Sequence, residues 1–305
     1  VHAESNAIVS ARRDMLKKAG KVNSAWYHYL SRPEIAEEEA DIRAIELAHA
    51  ARAPLYIVHV ASAAGRLAIK LAGSKYREYL TSREEKADNR EIADDGWLFA
   101  EKSVYPVYGE TCPHYLEFTN EVYKRPDGIR FICSPSIKVK ESRLELWQGI
   151  LEGDIDVVAT DHCPSQSYEK DWGKDDFFLA PNGLMGVENL YPYMLSEAQS
   201  GKVTLSRVVG LCSYNPARIF GCTGKGEIAA GKDADIVLYD PRKRFTITAK
   251  SMHSDLDYTV YEGRELKGYP VMTLSRGMIV YEDGEFKGQA GYGRLIRRNV
   301  SEAYL

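Results

Sequence analysis

The amino-acid sequence predicts an α/β fold in which parallel strands alternate with helices, and three observations support this prediction. Residues 31–53 carry alanines and an isoleucine at helical spacing after Pro33, which indicates an amphipathic helix. Residues 55–60 follow at once and are rich in strand-forming side chains. Polar side chains follow where this strand and later predicted strands end. The combination is typical of a parallel (β/α) barrel, whose active site lies at the carboxyl ends of its strands.

Further strands are predicted at residues 104–109 and 155–160, with a helix over residues 141–151 between them. Four strand ends then carry polar residues, and these are His2, His59, Glu110 and Asp161. A closed (β/α)8 TIM barrel needs about eight strands. Residues 1–220 are therefore expected to form the second half of such a barrel, without its N-terminal strands. The charged stretch 73–100 is expected to be a surface insertion.

The sequence after residue 220 has a different pattern. Gly and Asp residues separate short runs of strand-forming residues in the segments 224–240 and 276–285. This pattern predicts a small β-sandwich domain over residues 221–290. The remaining residues, 291–305, are expected to form a tail that is a candidate contact with another subunit.

Composition and charge exclude several classes of protein. The chain has 305 residues, and its 40 Lys and Arg against 44 Asp and Glu give a net charge of -4 without a basic stripe, so no nucleic-acid partner is expected. No apolar run reaches the roughly 18 residues of a membrane span, and the first residues show no signal-peptide pattern, which predicts a cytosolic protein without membrane contact. The 5 cysteines form no CxxC pair, which predicts buried thiols rather than disulfides or a thiolate zinc site.

Three residues at predicted strand ends form a candidate metal site. His2, His59 and Asp161 converge if their strands share one edge, and neutral imidazoles and a carboxylate suit zinc. A zinc site with an open position lowers the pKa of bound water to about 7, which serves hydrolysis. The residues alone leave an alternative open, because a histidine at a strand end can cap a core and an Asp-His pair can hold a loop.

The other histidines divide into two groups. His49 lies within the predicted helix, and His28 and His253 lie among loop-like residues, so none of these three is expected to bind a metal. His114 and His162 lie in the polar clusters that follow strand ends. Their role is left open.

Seven segments, taken in order along the chain, resemble the dihydropyrimidinase and D-hydantoinase family of cyclic amidohydrolases. They are VHAE at residues 1–4, YIVHVAS at 56–62, GETCPHYL at 109–116, CSPS at 133–136, TDHCP at 160–164, PNGLMGVE at 181–188 and the segment 231–240. The resemblance covers nearly the whole chain. It implies a TIM-barrel hydrolase and a homotetramer.

The resemblance also implies a role for each site residue. His2 and His59 would bind one zinc ion, and Asp161 would bind a second and carry the proton. Ser134 and Asn182 match positions that hold the amide groups of the substrate ring, largely through the main chain. From the residues alone, Ser134 is equally a turn residue before a proline, and Asn182 a left-handed turn residue before a glycine.

Part of the family pattern is missing from this sequence. A His-x-His pair, a carbamylated lysine that bridges the two zinc ions and a tyrosine for the oxyanion all precede the position of Val1 in related chains. Three ligands do not complete a binuclear centre. The resemblance therefore leads us to expect an upstream segment that carries the others.

The activity implied by the resemblance is the hydrolytic opening of 5,6-dihydropyrimidine or hydantoin rings to N-carbamoyl amino acids by metal-bound hydroxide. Asp161 would take the proton from the hydroxide and deliver it to the leaving ring nitrogen. Two alternatives stay open. The segment 112–115 also resembles allantoinases, and the dihydropyrimidinase-related proteins are non-catalytic scaffolds that have lost metal ligands. Retention of His2, His59 and Asp161 favours an enzyme.

Overall fold

A computed structural model describes residues 1–51, 53–73 and 106–299, and the chain forms two compact units. The first unit comprises Val1–Ile155 and Gly173–Leu179, and the second comprises Asp156–Trp172 and Ala180–Leu305. The predicted insertion lies outside the described residues except for its first residue, and so does the end of the predicted tail. None of the helices in the described ranges is long and apolar enough to cross a membrane.

The first unit contains helices and two parallel strands. Its elements are α1 (Asn6–Lys18), α2 (Ala25–Ser31), α3 (Glu34–Ala50), β1 (Leu55–Ile57), α4 (described over 63–73), β2 (Val107–Thr111), α5 (Pro113–Glu117) and α6 (Lys140–Glu152). Strands β1 and β2 pair in parallel, with Leu55 opposite Val107 and Ile57 opposite Gly109. The predicted helix over 31–53 is confirmed as α3, and the helix predicted over 141–151 is confirmed as α6.

Val1 lies beside β1 and pairs with it through two main-chain hydrogen bonds. Its amino group donates a hydrogen bond to the Tyr56 carbonyl oxygen (2.5 Å), and the Val58 N–H donates to the Val1 carbonyl oxygen (3.2 Å). Both bonds together are the pattern of a parallel pair. His2 therefore follows a residue that pairs with β1, and its position at the end of a strand of its own stays a prediction.

Apolar residues at helical spacing explain how the helices of this unit pack. Ala36, Ala40 and Ile45 of α3 are buried. On α6 the buried face carries Leu146 and Trp147, and its indole N–H donates to the Leu116 carbonyl oxygen (3.0 Å). Helix α6 thus packs against the segment that follows β2.

The second unit contains a short strand, several helices and an antiparallel sheet. Its elements are β3 (Val157–Val158), α7 (Ser167–Lys170), α8 (Leu190–Gln199), α9 (Leu205–Val209), α10 (Asn215–Ile219), β4 (Ile236–Thr246), β5 (Glu265–Ser275), β6 (Met278–Glu282) and β7 (Glu285–Phe286). A π-helical turn, Gly210–Tyr214, links α9 to α10. The strand predicted at 155–160 is present but shorter.

Strands β4 to β7 pair in chain order, each antiparallel to the next. Two-residue turns join β5 to β6 and β6 to β7, and each has positive φ at both residues: 46° and 81° at Arg276 and Gly277, and 47° and 94° at Asp283 and Gly284. These are the values of hairpin turns that match the twist of the strands. The predicted Gly and Asp turns are confirmed, whereas β4 and β5, with 11 residues each, are longer than the short strands expected.

All five cysteines are free thiols, which agrees with the expectation of no disulfide. The expectation that they are buried holds for Cys112 and Cys133 and is wrong for Cys163, which is exposed. Cys212 and Cys222 are half-buried. The reason at Cys163 is local, since residues 161–164 after β3 are all exposed.

Candidate active site

His2 and His59 lie together in the first unit. The Nδ1 atom of His2 is 2.8 Å from the Nε2 atom of His59, and the rings meet edge to face with centroids 4.7 Å apart. His59 is buried, while about half of the His2 side chain is exposed. One of the two nitrogens carries the shared hydrogen here. When that hydrogen is lost, two nitrogen donors face each other at the edge of solvent, which is the donor chemistry that a divalent cation such as zinc accepts.

The main chain at His59 adopts a left-handed conformation with φ of 44°. A residue with a Cβ pays a steric cost there, so the surrounding structure must enforce it. Glu110 does so from β2: its Oε1 atom accepts from the His59 N–H (3.3 Å), and its carbonyl oxygen accepts from the Val60 N–H (2.7 Å). The Tyr56 hydroxyl donates to the other carboxylate oxygen (2.6 Å) and keeps Glu110 in place. The left-handed residue also explains why β1 ends at Ile57.

A second carboxylate holds the residues after His59. Glu37 on α3 is buried, and its Oε1 atom accepts from the N–H groups of Ala61 (2.8 Å) and Ser62 (3.0 Å). Asp41, one turn further along α3, is fully buried, and neither of its carboxyl oxygens has a hydrogen-bond partner among the described residues. Burial and the neighbouring Glu37 charge raise the pKa of Asp41 to about 9. Burial also raises the pKa of Glu37, but the Lys138 charge and the two N–H bonds favour its ionised form, so we place the charge on Glu37 and keep Asp41 neutral.

Glu4 lies on the other side of His2. One of its carboxylate oxygens is 3.7 Å from the Nε2 atom of His2, and the same oxygen accepts a hydrogen bond from Arg32. Burial opposes ionisation of Glu4, but the neighbouring His2 and the positive charges of Arg32 and Lys138 outweigh it, so the pKa of Glu4 is below its usual value. His2 therefore lies between His59 and a carboxylate, an arrangement that orients its ring.

Asp161 follows β3 in the second unit and is exposed. Its main chain is also left-handed, with φ of 44°. The residues after it are tied to the segment 184–187: the Cys163 N–H donates to the Leu184 carbonyl oxygen (3.0 Å), and the Nδ1 atom of His162 accepts from the N–H groups of Gly186 (3.1 Å) and Val187 (3.3 Å). His162 thus holds a loop, as one of its open readings allowed.

Asn182 lies in the loop that faces these residues, and its neighbours on both sides are held. Lys170 on α7 is fully buried and donates to the carbonyl oxygens of Pro181 (2.7 Å) and Gly183 (2.8 Å). Gly183 has φ of 136°, and a Cβ there would lie 2.4 Å from the Cys163 carbonyl oxygen. Only glycine fits at this position.

Ser134 is half-buried in a segment whose neighbours are buried. The peptide bond to Pro135 is cis. The Nε2 atom of His28 donates to the Cys133 carbonyl oxygen (2.8 Å), and the Tyr115 hydroxyl donates to the Pro135 carbonyl oxygen (2.7 Å). The expectation that His28 lies in a loop is wrong, because it is a buried residue of α2 whose ring supports this segment.

The remaining histidines take no part in the contact between His2 and His59, although His114 lies near His59. His49 is in α3, as predicted, and His253 is in a loop, where its Nδ1 atom is 2.6 Å from a Glu188 carboxylate oxygen. His114 is buried in α5, and burial together with the nearby His59 lowers its pKa to about 3. His114 is therefore neutral in the folded protein near pH 7.

Of the three predicted metal ligands, the structure brings His2 and His59 together. Within residues 1–51, 53–73 and 106–299, no group of three or more His, Cys, Asp and Glu side chains is arranged to hold a metal ion. The two imidazoles fit a cation as a partial ligand set. The roles of Asp161, Ser134 and Asn182 stay predictions.

Sequence reasoning did not assign the charged residues that support these loops. Glu37 and Asp41 fall on the same helical arc as Ala36, Ala40 and Ile45, so acidic residues within an apolar stripe were the available signal. Glu110 was noticed only as part of a polar cluster. Lys170 carries no sequence signal, because a lysine at the end of a short helix is ordinarily exposed.

Comparisons with known proteins find an amidohydrolase family model together with hydantoinases and dihydropyrimidinases. The model of the amidohydrolase family matches residues 11–280. A D-phenylhydantoinase of Escherichia coli O1:K1 / APEC is 39% identical over 302 residues, which cover 98% of this chain and 59% of that protein. A dihydropyrimidinase structure from Brevibacillus agri NCHU1002 is 34% identical with a TM-score of 0.84, and it matches 98% of this chain and 60% of its own.

A further solved structure, the L-hydantoinase (dihydropyrimidinase) of Arthrobacter aurescens, is 28% identical with a TM-score of 0.82 over 98% of this chain and 60% of its own. The chain thus spans about three fifths of the length of these relatives. The resemblance to dihydropyrimidinases and hydantoinases is confirmed, as is the α/β fold class of TIM-barrel amidohydrolases. The chain belongs to the amidohydrolase family.

Proposed function

We propose that this chain takes part in the metal-dependent hydrolysis of a cyclic amide, opening a dihydropyrimidine or hydantoin ring to an N-carbamoyl amino acid. The observation that carries the proposal is the pair of imidazoles, 2.8 Å apart, with His59 held in a left-handed conformation at a strand end. Strained residues that the fold enforces are concentrated at functional sites. The hydantoinases and dihydropyrimidinases among its relatives support the substrate class.

The cofactor we propose is a pair of zinc ions. His2 and His59 would hold one and Asp161 the other, with further ligands needed, among them the carbamylated lysine that the family resemblance implies. When bound, the metal polarises the carbonyl group and makes water a nucleophile near pH 7. The Glu4 carboxylate beside His2 suits this role, because a carboxylate partner raises the basicity of a ligating imidazole.

The other roles belong to residues of this chain. Asp161 is exposed, so its carboxylate can take a proton from the attacking water and return it to the ring nitrogen as that nitrogen leaves. The main chain at Ser134 and at Asn182 would hold the ring amides. Both positions lie in segments whose neighbouring carbonyl groups are bound by buried side chains, which suits main-chain recognition.

The finer architecture is also part of the proposal. Residues 1–220 would form the second half of the barrel, 221–290 a β-sandwich domain and 291–305 a tail at a subunit contact of a cytosolic homotetramer. The parallel pair β1 and β2 supports the first assignment, and the antiparallel sheet β4 to β7 supports one layer of the second.

Metal analysis and ring-opening assays on the purified protein test the proposal. We expect zinc in the protein and turnover of dihydrouracil, hydantoin or allantoin, with both enantiomers of a 5-substituted hydantoin compared. His59→Ala should lower the zinc content and abolish turnover, whereas His49→Ala, the matched change on α3, should alter neither. Zinc content that His59→Ala leaves unchanged would refute the ligand assignment. A folded protein with neither zinc nor turnover would favour the scaffold alternative.

A further inference from the structure

Lys170 is a fully buried amine in the second unit that the proposed chemistry does not use. Burying an ammonium group is costly unless its N–H groups are bonded. The Lys170 amine donates two hydrogen bonds, to the carbonyl oxygens of Pro181 (2.7 Å) and Gly183 (2.8 Å). These are the residues on either side of Asn182. One buried side chain therefore binds the main chain just before and just after a predicted substrate-binding residue.

The geometry of the peptide bond explains why these two hydrogen bonds fix the loop. In a planar trans peptide, the C=O and the N–H point in opposite directions. By binding the carbonyl of Pro181, Lys170 sets the direction of the peptide plane that enters Asn182, and by binding that of Gly183 it sets the plane that enters Leu184. The peptide between them, with the Asn182 carbonyl, is left little freedom.

Two contacts with Cys163 complete the arrangement. Gly183 has no room for a side chain against Cys163, and the Leu184 carbonyl accepts from the Cys163 N–H. The loop is thus held from α7 by a charge and from the residues after Asp161 by the main chain. Charge-assisted hydrogen bonds are the stronger of these, roughly twice a neutral one.

We propose that Lys170 is a positioning residue that orients the main chain of Asn182 for the substrate ring. This inference rests on the proposed function, which places Asn182 at the substrate. Lys170 does not touch the reacting atoms in this assignment. Its effect is therefore on ring binding and alignment, and not on metal binding.

Kinetics of two variants test the inference in the active protein. Lys170→Met keeps the length of the side chain and removes the donors, so KM for the ring should rise about tenfold or more while zinc content stays unchanged. Lys170→Arg, which keeps charged donors, should recover part of the loss. Lys174→Met, which changes an exposed lysine four residues further along the sequence, is the matched control and should behave as wild type. A lowered kcat and melting temperature with unchanged KM would overturn the positioning role in favour of a purely structural one.

Hydrogen exchange measured by mass spectrometry tests the same inference without turnover. Lys170→Met should speed the exchange of amides in residues 182–187 relative to the rest of the chain. If Lys170→Met does not fold, the same measurement on Lys170→Arg decides, since its altered reach should still perturb this loop. Unchanged exchange in 182–187 would refute the inference. Absence of zinc and turnover from the wild type would refute the proposed function alone, because the exchange result stands independently.

Discussion

The turn after β1 and the loop around Asp161 and Asn182 support predicted site residues in opposite ways. His59 and Asp161 share the same left-handed main chain, each with φ of 44°. In the first unit, the half-buried carboxylate of Glu110 accepts from the His59 N–H, and the buried carboxylate of Glu37 accepts from the N–H groups of Ala61 and Ser62. In the second unit, a buried amine donates to carbonyl oxygens around Asn182.

The difference shows that the sign of a buried charge follows the main-chain group it must hold. Glu37 accepts from N–H groups just before α4, and Glu110 accepts from the N–H of the left-handed residue His59; these N–H groups lie outside a helix or strand. Lys170 meets carbonyl groups in a loop that lacks a helical or strand partner for them. Each charge is tolerated inside the protein because main-chain groups replace its water.

The largest expected effect is a loss of turnover without a loss of stability, and it is expected at Asp161. Asp161→Asn removes the proton carrier and weakens a metal ligand, and should lower turnover by about a thousandfold or more, near 4 kcal/mol in the barrier. Because Asp161 is exposed, the melting temperature should hardly change. Asp14→Asn, an exposed change on α1, is the control. Turnover near the wild-type value in Asp161→Asn would contradict the proposed mechanism.

Glycine-to-alanine substitutions test how much room each of the two regions has for an added Cβ atom. At Gly183 a Cβ would meet the Cys163 carbonyl oxygen at 2.4 Å with φ of 136°, so Gly183→Ala should cost about 3 kcal/mol. At Gly65 in α4 a Cβ would meet the ends of the Glu37 and Asp41 side chains, both at 2.7 Å. Gly65→Ala should cost about half as much, because alanine favours the helix and a side chain can yield. Denaturant unfolding measures both, and equal costs would contradict the contrast.

Local pattern was sufficient to predict several elements of the fold. The alanine spacing of α3, the strand formers of β1 and the hairpin turns at Arg276 and Asp283 are properties of neighbouring residues, and the structure confirms them. The length of β1 was not predictable in the same way. It ends at Ile57 because Glu110, 51 residues away from His59 in sequence, stabilises the left-handed turn.

The contact between His2 and His59 is the part of the candidate site that the sequence could predict. The pairing of His2 with His59 follows from their positions at adjacent strand ends, and it is found. The buried roles of Glu37, Lys170 and His28 depend on main-chain groups that only the folded chain brings near them. A charged side chain in isolation indicates an exposed surface, and this general rule fails where main-chain groups are unpaired.

Removal of Glu37 tests how far the turn after β1 depends on the Glu37 carboxylate. Glu37→Leu leaves the Ala61 and Ser62 N–H groups buried without an acceptor and should cost about 2 kcal/mol of unfolding free energy. It should also weaken zinc binding at His59. Glu37→Gln keeps a carbonyl acceptor and can donate to Asp41, so its cost should be smaller. Equal stability of the Leu and Gln variants in urea would show that the acceptor does not matter.

The smallest effect is expected for Asp41→Asn near pH 4, and it should grow with pH. Burial raises the folded pKa of Asp41 to about 9, above the value near 4 of an unfolded chain. The folded protein then binds one more proton than the unfolded chain between these values, so the stabilisation is complete below the unfolded pKa and falls as pH rises toward 9. The slope contributed is at most about 1.4 kcal/mol per pH unit. Asparagine cannot ionise, so the variant should lose stability less steeply with pH in urea unfolding. Parallel stability profiles of the two proteins would mean that the folded state keeps Asp41 charged. The turn after β1 would then lie beside two negative charges, those of Glu37 and Asp41, rather than one.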